Sequence, residues 1–380
     1  MRNRFRNLGL VIAAVCLLLA AMPAAAQIGK YVPVPAGSDA DHALTEINAA
    51  TDPAQKLALI DKFAASAQGD MAIVVDDTYV NYYLTAKNYD KAFEYGDKLF
   101  AIDPDNFANA VNMVRAAQEK GDSDKLLSYG AKAADILKRY KASSVPDDEK
   151  KRNLENAHDN IVYVQQLIFN GAYQTQDPTK RAAQLVQFAQ MFSDSPYADR
   201  AMGVAATSYQ QSQNTAKMIE VANGLLAKDP NNVGMLLLLA DYYSEKGEQL
   251  DKAEADAKKA TAVLADAKKP DGLTDDQWQQ QVSLQKGLAL SALGQVNIQK
   301  KANASAVENL KQASPLLKAD AGSYARNQYR LGYALLNLKK VADAKQAFTE
   351  AASVESPYKK PSLDKLKAMA GATASARAKS

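Results

Sequence analysis

From Tyr79 to Asn106 the apolar positions fall on two helical stripes separated by a short polar gap. Tyr79 and Tyr83 lie on the first stripe. Lys87-Asn88 interrupts, Tyr89, Ala92, Gly96 and Leu99 form the second, and Asp103-Pro104 closes the stretch. Residues three and four apart share one face of a helix, so this spacing predicts two short amphipathic helices. The small residues predict a close contact between them, and proline cannot continue the second. No run of strand length alternates between apolar and polar. The most strand-like run, Met71-Ala72-Ile73-Val74-Val75, continues a helical period into the tyrosines and is predicted to open a helix.

The same pattern recurs along the chain. Ser38-Asp39 caps a helix predicted to reach about Ala50, and Asp52-Pro53 opens another to about Ala67, since proline is tolerated at a first helical position. A second pair follows from Phe107, with Met113, Val114 and Ala117 before Gly121-Asp122 and Leu126, Gly130 and Ala133 after it. Ser143 to Pro146 interrupts. Asp147-Asp148-Glu149 then starts a connecting helix predicted to run unbroken to about Gly171, with Asp177-Pro178 opening its partner. Pro270-Asp271-Gly272 marks a turn before a long helix holding Trp278, whose partner spans 305–318. A final pair covers 325–357, and the Ser/Ala-rich tail is predicted to be disordered beyond Gly371.

Part of this array is duplicated. Asp52-Pro53, Lys56, Ile60 and Phe63-Ala64 return as Asp177-Pro178, Arg181, Leu185 and Phe188-Ala189. Asp103-Pro104-Asp105-Asn106 returns as Asp229-Pro230-Asn231-Asn232, and Glu119-Lys120-Gly121 as Glu245-Lys246-Gly247. The offset stays at 125 to 126 residues, which predicts two copies of a five-helix unit over 38–140 and 172–267, joined by 141–171 and followed by hairpins over 268–357.

Composition sharpens this. Hydrophobic residues make up 47% of the chain but aromatics only 7%, so alanine carries much of the apolar content and closely packed helices are favoured. The formal charge of +3 traces to Arg2, Arg4 and Arg6; without them 43 basic residues face 43 acidic ones. A neutral chain without a basic block gives no electrostatic reason for a nucleic-acid partner.

Those arginines precede an apolar run from Leu8 to Met22 and then Ala24-Ala25-Ala26, the layout of a secretory signal peptide with cleavage expected after Ala26. The run is short against the ~20 residues of a membrane span, so no span is expected after cleavage. The single cysteine, Cys16, lies in the same segment. Residues 27–37, with Pro33, Pro35 and Gly37, read as an extended leader, and the expected location is periplasmic or secreted.

The paired helices resemble the tetratricopeptide repeat family over most of 38–355. The last pair fits best: Leu331-Gly332 stands at the family's Leu-Gly pair, Leu335 at its tyrosine, and Ala344, Phe348 and Ala351 at its Ala, Phe and Ala, with Pro357 closing. The resemblance implies an all-α, right-handed α-solenoid of about eight antiparallel hairpins. It also implies a concave groove, lined by the first helix of each hairpin, that holds a protein or peptide. Groove positions then fall on Asp77, Asn81 and Thr85; on Val111, Arg115 and Glu119; and on Arg326, Tyr329, Arg330, Tyr333 and Asn337, with Arg326, Arg330 and Tyr333 as the best single patch. Members that grip a C-terminal carboxylate use a lysine and asparagines; Asn81 and Asn112 stand near those positions, but Asp77 replaces the lysine and would repel a carboxylate. The run from Phe192 to Ala198 also looks like junctions in repeat proteins of the bacterial envelope.

Chemical motifs add little. His42 and His158 are far apart, and each has one carboxylate a helical turn away, too few ligands for zinc. The pairs Asp76-Asp77, Asp147-Asp148 and Asp275-Asp276 are predicted to mark helix starts. There is no phosphate loop, nucleophile elbow or zinc-protease motif, and no cofactor or metal site is expected. One of each tyrosine pair, 82–83 and 242–243, is predicted to pack between helices. The sequence therefore points to a non-enzymatic envelope scaffold. The rivals are an envelope hydrolase or sugar-handling enzyme that uses groove carboxylates, and a self-associating spacer.

Overall fold

The computed structural model describes residues 28–377, so the signal-like segment 1–26 lies outside the described residues. Among those described there are eighteen α-helices and no strand. Two compact units divide them: 28–175 with 187–198, and 176–186 with 199–377.

The first unit contains α1 (Asp39–Ala49), α2 (Pro53–Ser66), α3 (Met71–Thr85), α4 (Tyr89–Ile102), α5 (Phe107–Lys120), α6 (Ser123–Ala142), α7 (Asp147–Asn156) and α8 (His158–Gln174). Helix α9 (Pro178–Met191) is shared between the units. The second unit continues with α10 (Ala198–Gln211), α11 (Thr215–Lys228), α12 (Val233–Lys246), α13 (Leu250–Asp266), α14 (Asp275–Gln299), α15 (Asn303–Leu317), α16 (Ala321–Asn337), α17 (Val341–Ala352) and α18 (Lys359–Arg377). Leaving out α7 and α18, the helices follow one another as eight pairs, each joined by two or three residues. Within each unit, turns this short force antiparallel neighbours, as in α3 with α4, α5 with α6, α12 with α13, α14 with α15 and α16 with α17.

The helix starts follow from capping chemistry. Asp52, Asn88, Asn106, Asp122, Asn232 and Asp320 each accept a bond from the backbone N–H three residues on, which satisfies a donor the helix itself cannot. Thr274 and Gln277 form a reciprocal capping box at the start of α14. Five of the eight turns inside the pairs share a further feature. Lys87, Gln213, Gln249, Lys301 and Lys339 all adopt left-handed backbone, with φ between 44° and 62°. Each such residue costs roughly 1 kcal/mol against its ordinary conformation, and the packing of the paired helices holds it there.

Small residues set the helix spacing. A Cβ on Gly332 of α16 would stand 2.8 Å from the Phe348 ring of α17. Gly96 of α4 lies against Met113, which is on α5 and not on α3 as the sequence predicts. The Asn109 side chain, wholly buried on α5, donates to the Gly96 carbonyl at 2.8 Å. Gly96 is thus a stacking contact between successive pairs. Fully buried alanines at 92, 110, 116, 117 and 133 continue the pattern in the first unit, and those at 289, 306, 313, 334 and 344 in the second.

Four expectations need correction. The connecting helix is broken at Ala157 into α7 and α8, which packs onto α5 and α6. Helix α8 buries Val164, Ile168 and Phe169, whereas α7 buries only Asn153, whose amide donates to the Tyr140 hydroxyl at 2.7 Å. Each half follows a different anchor. Asp76 and Asp77 sit in the second turn of α3 and cap nothing, because the helix opens at Met71. The tail is helical to Arg377, past Gly371, as its many alanines permit. The leader is also more than a connection: Ile28 is buried, and its carbonyl accepts the Phe107 N–H at 3.1 Å.

Adding a methyl at Gly332 is expected to overpack the α16–α17 contact, so Gly332→Ala should lower stability by about 1–3 kcal/mol. Gly224, inside α11 with open space around it, should gain about 0.5–1 kcal/mol on mutation to alanine. Urea unfolding of the two variants beside the parent checks both signs.

Candidate functional site

In the first unit, the predicted positions Asp77, Asn81 and Thr85 form a ladder along α3. Asn81 donates to the Asp77 carbonyl at 2.9 Å and to its carboxylate at 3.0 Å, and Thr85 donates to the Asn81 carbonyl at 2.8 Å. Asn81 and Thr85 are exposed and Asp77 is half-buried. No cation lies within ion-pair distance of Asp77 among the described residues. Burial lifts its carboxyl to about 6 from an ordinary 3.8, with the Asn81 bond opposing the rise. On α5, which touches α3, Arg115 Nε bonds Glu119 at 2.9 Å and the Tyr89 hydroxyl donates to the same carboxylate at 3.0 Å. Burial works against the charge on Glu119, and these two bonds outweigh it, so its pKa is lowered. Val111 lies on the same helix and is half-buried.

The predicted positions of the last pair lie in the second unit, and their environments differ sharply. Arg330 is 3% exposed. Its guanidinium bonds Asp241 at 3.0 Å and Glu245 at 2.5 Å on α12, and the Ser291 hydroxyl at 3.1 Å and carbonyl at 3.3 Å on α14. Arg326 bonds the other oxygen of Asp241 at 2.6 Å. Burial pushes the Asp241 carboxyl up, but Arg326 and Arg330 outweigh it and hold the group below its ordinary value. The expectation of an exposed arginine patch is therefore corrected for Arg330, whose charge is consumed in tying α16 to α12 and α14. Tyr329 packs between Phe348 and Tyr358, Tyr333 is 39% exposed beneath the Lys365 ammonium, and Asn337 donates to Asn303 at 3.0 Å.

Sequence reasoning missed the acidic partners Asp241 and Glu245, which lie 89 and 85 residues from Arg330. It also missed a cleft of about 320 Å³ formed by α10, α12, α14 and α16. Leu237, Leu238 and Leu288 line it, with Gln210, Gln285 and Ser323 around them and the Asp241–Arg326 pair at one side. The run from Leu236 to Leu239 is the only signal that could have located it, and a leucine run by itself reads as core. A cleft with an apolar lining and a polar rim can hold one or two side chains of an extended segment, while rim carboxamides pair with its backbone.

The chain is thus an all-α array of tetratricopeptide-like hairpins. No family model matches the chain, and no curated protein matches it. Among solved structures, the APC/C hetero-tetramer Cut9-Hcn1 aligns at 12% identity and a TM-score of 0.44, over 87% of this chain and 62% of that one. Yeast Tom70 aligns at 12% identity and 0.38, over 90% and 66%. The P58(IPK) TPR domain aligns at 12% identity and 0.30, over 88% and 99%. The chain spans about two thirds of the length of the first two. The fold assignment rests on the helix pairing and the small-residue contacts.

Removing Arg330 would leave Glu245 without its cation and Asp241 with Arg326 alone, and both carboxylates keep some exposure, so Arg330→Ala should cost about 2–3 kcal/mol. Chemical denaturation checks this, and a smaller loss is expected for Arg326→Ala, which leaves Arg330 in place. Asp77 carries the opposite expectation. A raised acid pKa makes the folded state bind the extra proton, so stability falls as pH rises from about 4 to about 6. Asp77→Asn should therefore gain about 1–2 kcal/mol at pH 7.5, after discounting for partial exposure, and nothing at pH 3.5. Thermal melts at the two pH values read the difference.

Proposed function

We propose that this protein is a scaffold that holds a segment of a partner protein along the first helices of its hairpins, and that it works in the bacterial cell envelope after export. The α10–α16 cleft carries the reading: its apolar lining and carboxamide rim suit an extended chain whose side chain enters while its backbone meets Gln210 and Gln285. The surface is built on helices already fixed by the Arg330 layer, so little ordering is needed on the scaffold's side when a partner binds. In the first unit, the Asp77 carboxylate, which meets Asn81 but no cation among the described residues, favours a basic side chain over a C-terminal carboxylate. The arginine-led, apolar segment at 1–26 and its Ala24-Ala25-Ala26 end support export to the periplasm or beyond.

Site-specific photocrosslinking in cells tests the reading. A crosslinker at Gln285 should capture one protein through a single short segment, and one at Lys259 on α13 should not. Equal capture at the two positions, or crosslinks scattered over many proteins, would remove the cleft as the binding surface.

A further inference from the structure

The two copies of the duplicated unit share one turn that is occupied in the first copy and open in the second. The turn is Asp103-Pro104-Asp105-Asn106 between α4 and α5, and Asp229-Pro230-Asn231-Asn232 between α11 and α12. Their end residues share one backbone conformation: Asp103 has φ −134° and ψ 83° against −126° and 93° at Asp229, and Asn106 has −71° and 95° against −63° and 96° at Asn232. Both aspartates donate their N–H to a leucine carbonyl at 2.8 Å, and both asparagines cap the next helix.

In the first copy the leader lies on this turn. The Phe107 N–H donates to the Ile28 carbonyl at 3.1 Å, and the Lys30 N–H donates to Asp103 Oδ2 at 3.0 Å. Gly29, at φ 122°, passes so close that a Cβ would stand 2.9 Å from that oxygen and 3.0 Å from Asn106 Cα. With the leader in place, Phe100, Asp103, Asn106 and Phe107 are 8, 2, 4 and 4% exposed. In the second copy the matching residues Leu226, Asn232 and Val233 are only half-buried and Asp229 is exposed. The Val233 N–H and Asp229 Oδ2 have no partner among the described residues, since Asp229 uses Oδ1 to receive the Asn231 N–H at 2.9 Å. An acceptor, a donor and an apolar ledge stand open in the same arrangement that holds Ile28-Gly29-Lys30.

We infer that the α11–α12 turn is a second docking site, which takes an extended aliphatic–glycine segment of a partner protein. The carbonyl of the aliphatic residue accepts the Val233 N–H, the residue after glycine donates to Asp229, and the aliphatic side chain covers Leu226 and Val233. Glycine is required between them because the backbone must pass at positive φ against the turn. The occupant is a different protein and not a second copy: a leader lent to a neighbour would vacate its own turn, and the exchange would gain nothing. This site is separate from the α10–α16 cleft and stands or falls without it.

The test uses the chain from residue 27 onward and the acetylated, amidated peptide Ile-Gly-Lys-Tyr-Val, matching residues 28–32. In backbone-amide NMR titrations to millimolar peptide, the Val233 N–H is expected to shift downfield and saturate. Asp229→Ala should weaken binding about tenfold, the scale of one charge-assisted hydrogen bond. A peptide with valine in place of glycine should not bind. No saturable shift at Val233, unchanged affinity in Asp229→Ala, or equal binding of the valine peptide would each overturn the proposal. Sedimentation at high protein concentration is expected to show a monomer; a dimer abolished by Asp229→Ala would overturn the choice of a different protein as occupant.

Discussion

Helices in this chain are held at a distance that only small residues allow. Alanine and glycine at the crossing points let backbones approach until a ring such as Phe348 or a thioether such as Met113 fills the remaining gap. Dispersion gains at such contacts are individually small, and they accumulate because each pair of helices presents the same narrow face to the next. The left-handed turns at Lys87, Gln213, Gln249, Lys301 and Lys339 are the local consequence. The paired helices come so close that the connecting residues must turn within two or three positions, and a lysine or glutamine takes left-handed backbone in each of these turns.

Within the second unit a different interaction is laid over this frame. Arg330 reaches from α16 to α12 and α14, and its buried charge is acceptable only because Asp241 and Glu245 meet it there. Four charged groups on two helices leave the layer neutral: Asp241 and Glu245 on α12, Arg326 and Arg330 on α16. The layer lies between the leucine-lined cleft and a second depression lined by Tyr329, Tyr333 and Tyr358. A residue that the repeat pattern places on a binding face thus serves to set the spacing of the helices that form that face.

The duplication shows how one turn can take different surroundings. At Asp103 the leader covers the turn and uses its polar groups; at Asp229 the same backbone leaves them open. The two motifs differ only in Asp105 against Asn231, and the cover over the first comes from a segment 73 residues away in the chain.

Local spacing along the chain was enough to define the helices, their pairing and most of their ends. A 3.6-residue period, a capping side chain and a proline or glycine each act within a few residues. That is why Ser38 and Asp52 could be read directly as boundaries. Asp76-Asp77 misled because an acidic pair looks the same at a helix start and in its second turn, and only the helix opening at Met71 decides. The break at Ala157 was illegible because it depends on two distant anchors, the α5–α6 face for α8 and Tyr140 for α7. The groove positions that the family resemblance implies lie on the first helices of the pairs, but which of them are free was settled by tertiary packing. Arg330 and Tyr333 are three residues apart on one helix; one is buried by carboxylates more than 80 residues away and the other remains exposed. Charge pairing at that range leaves no trace in local spacing, so the sequence could name the face and only the folded chain could assign its chemistry.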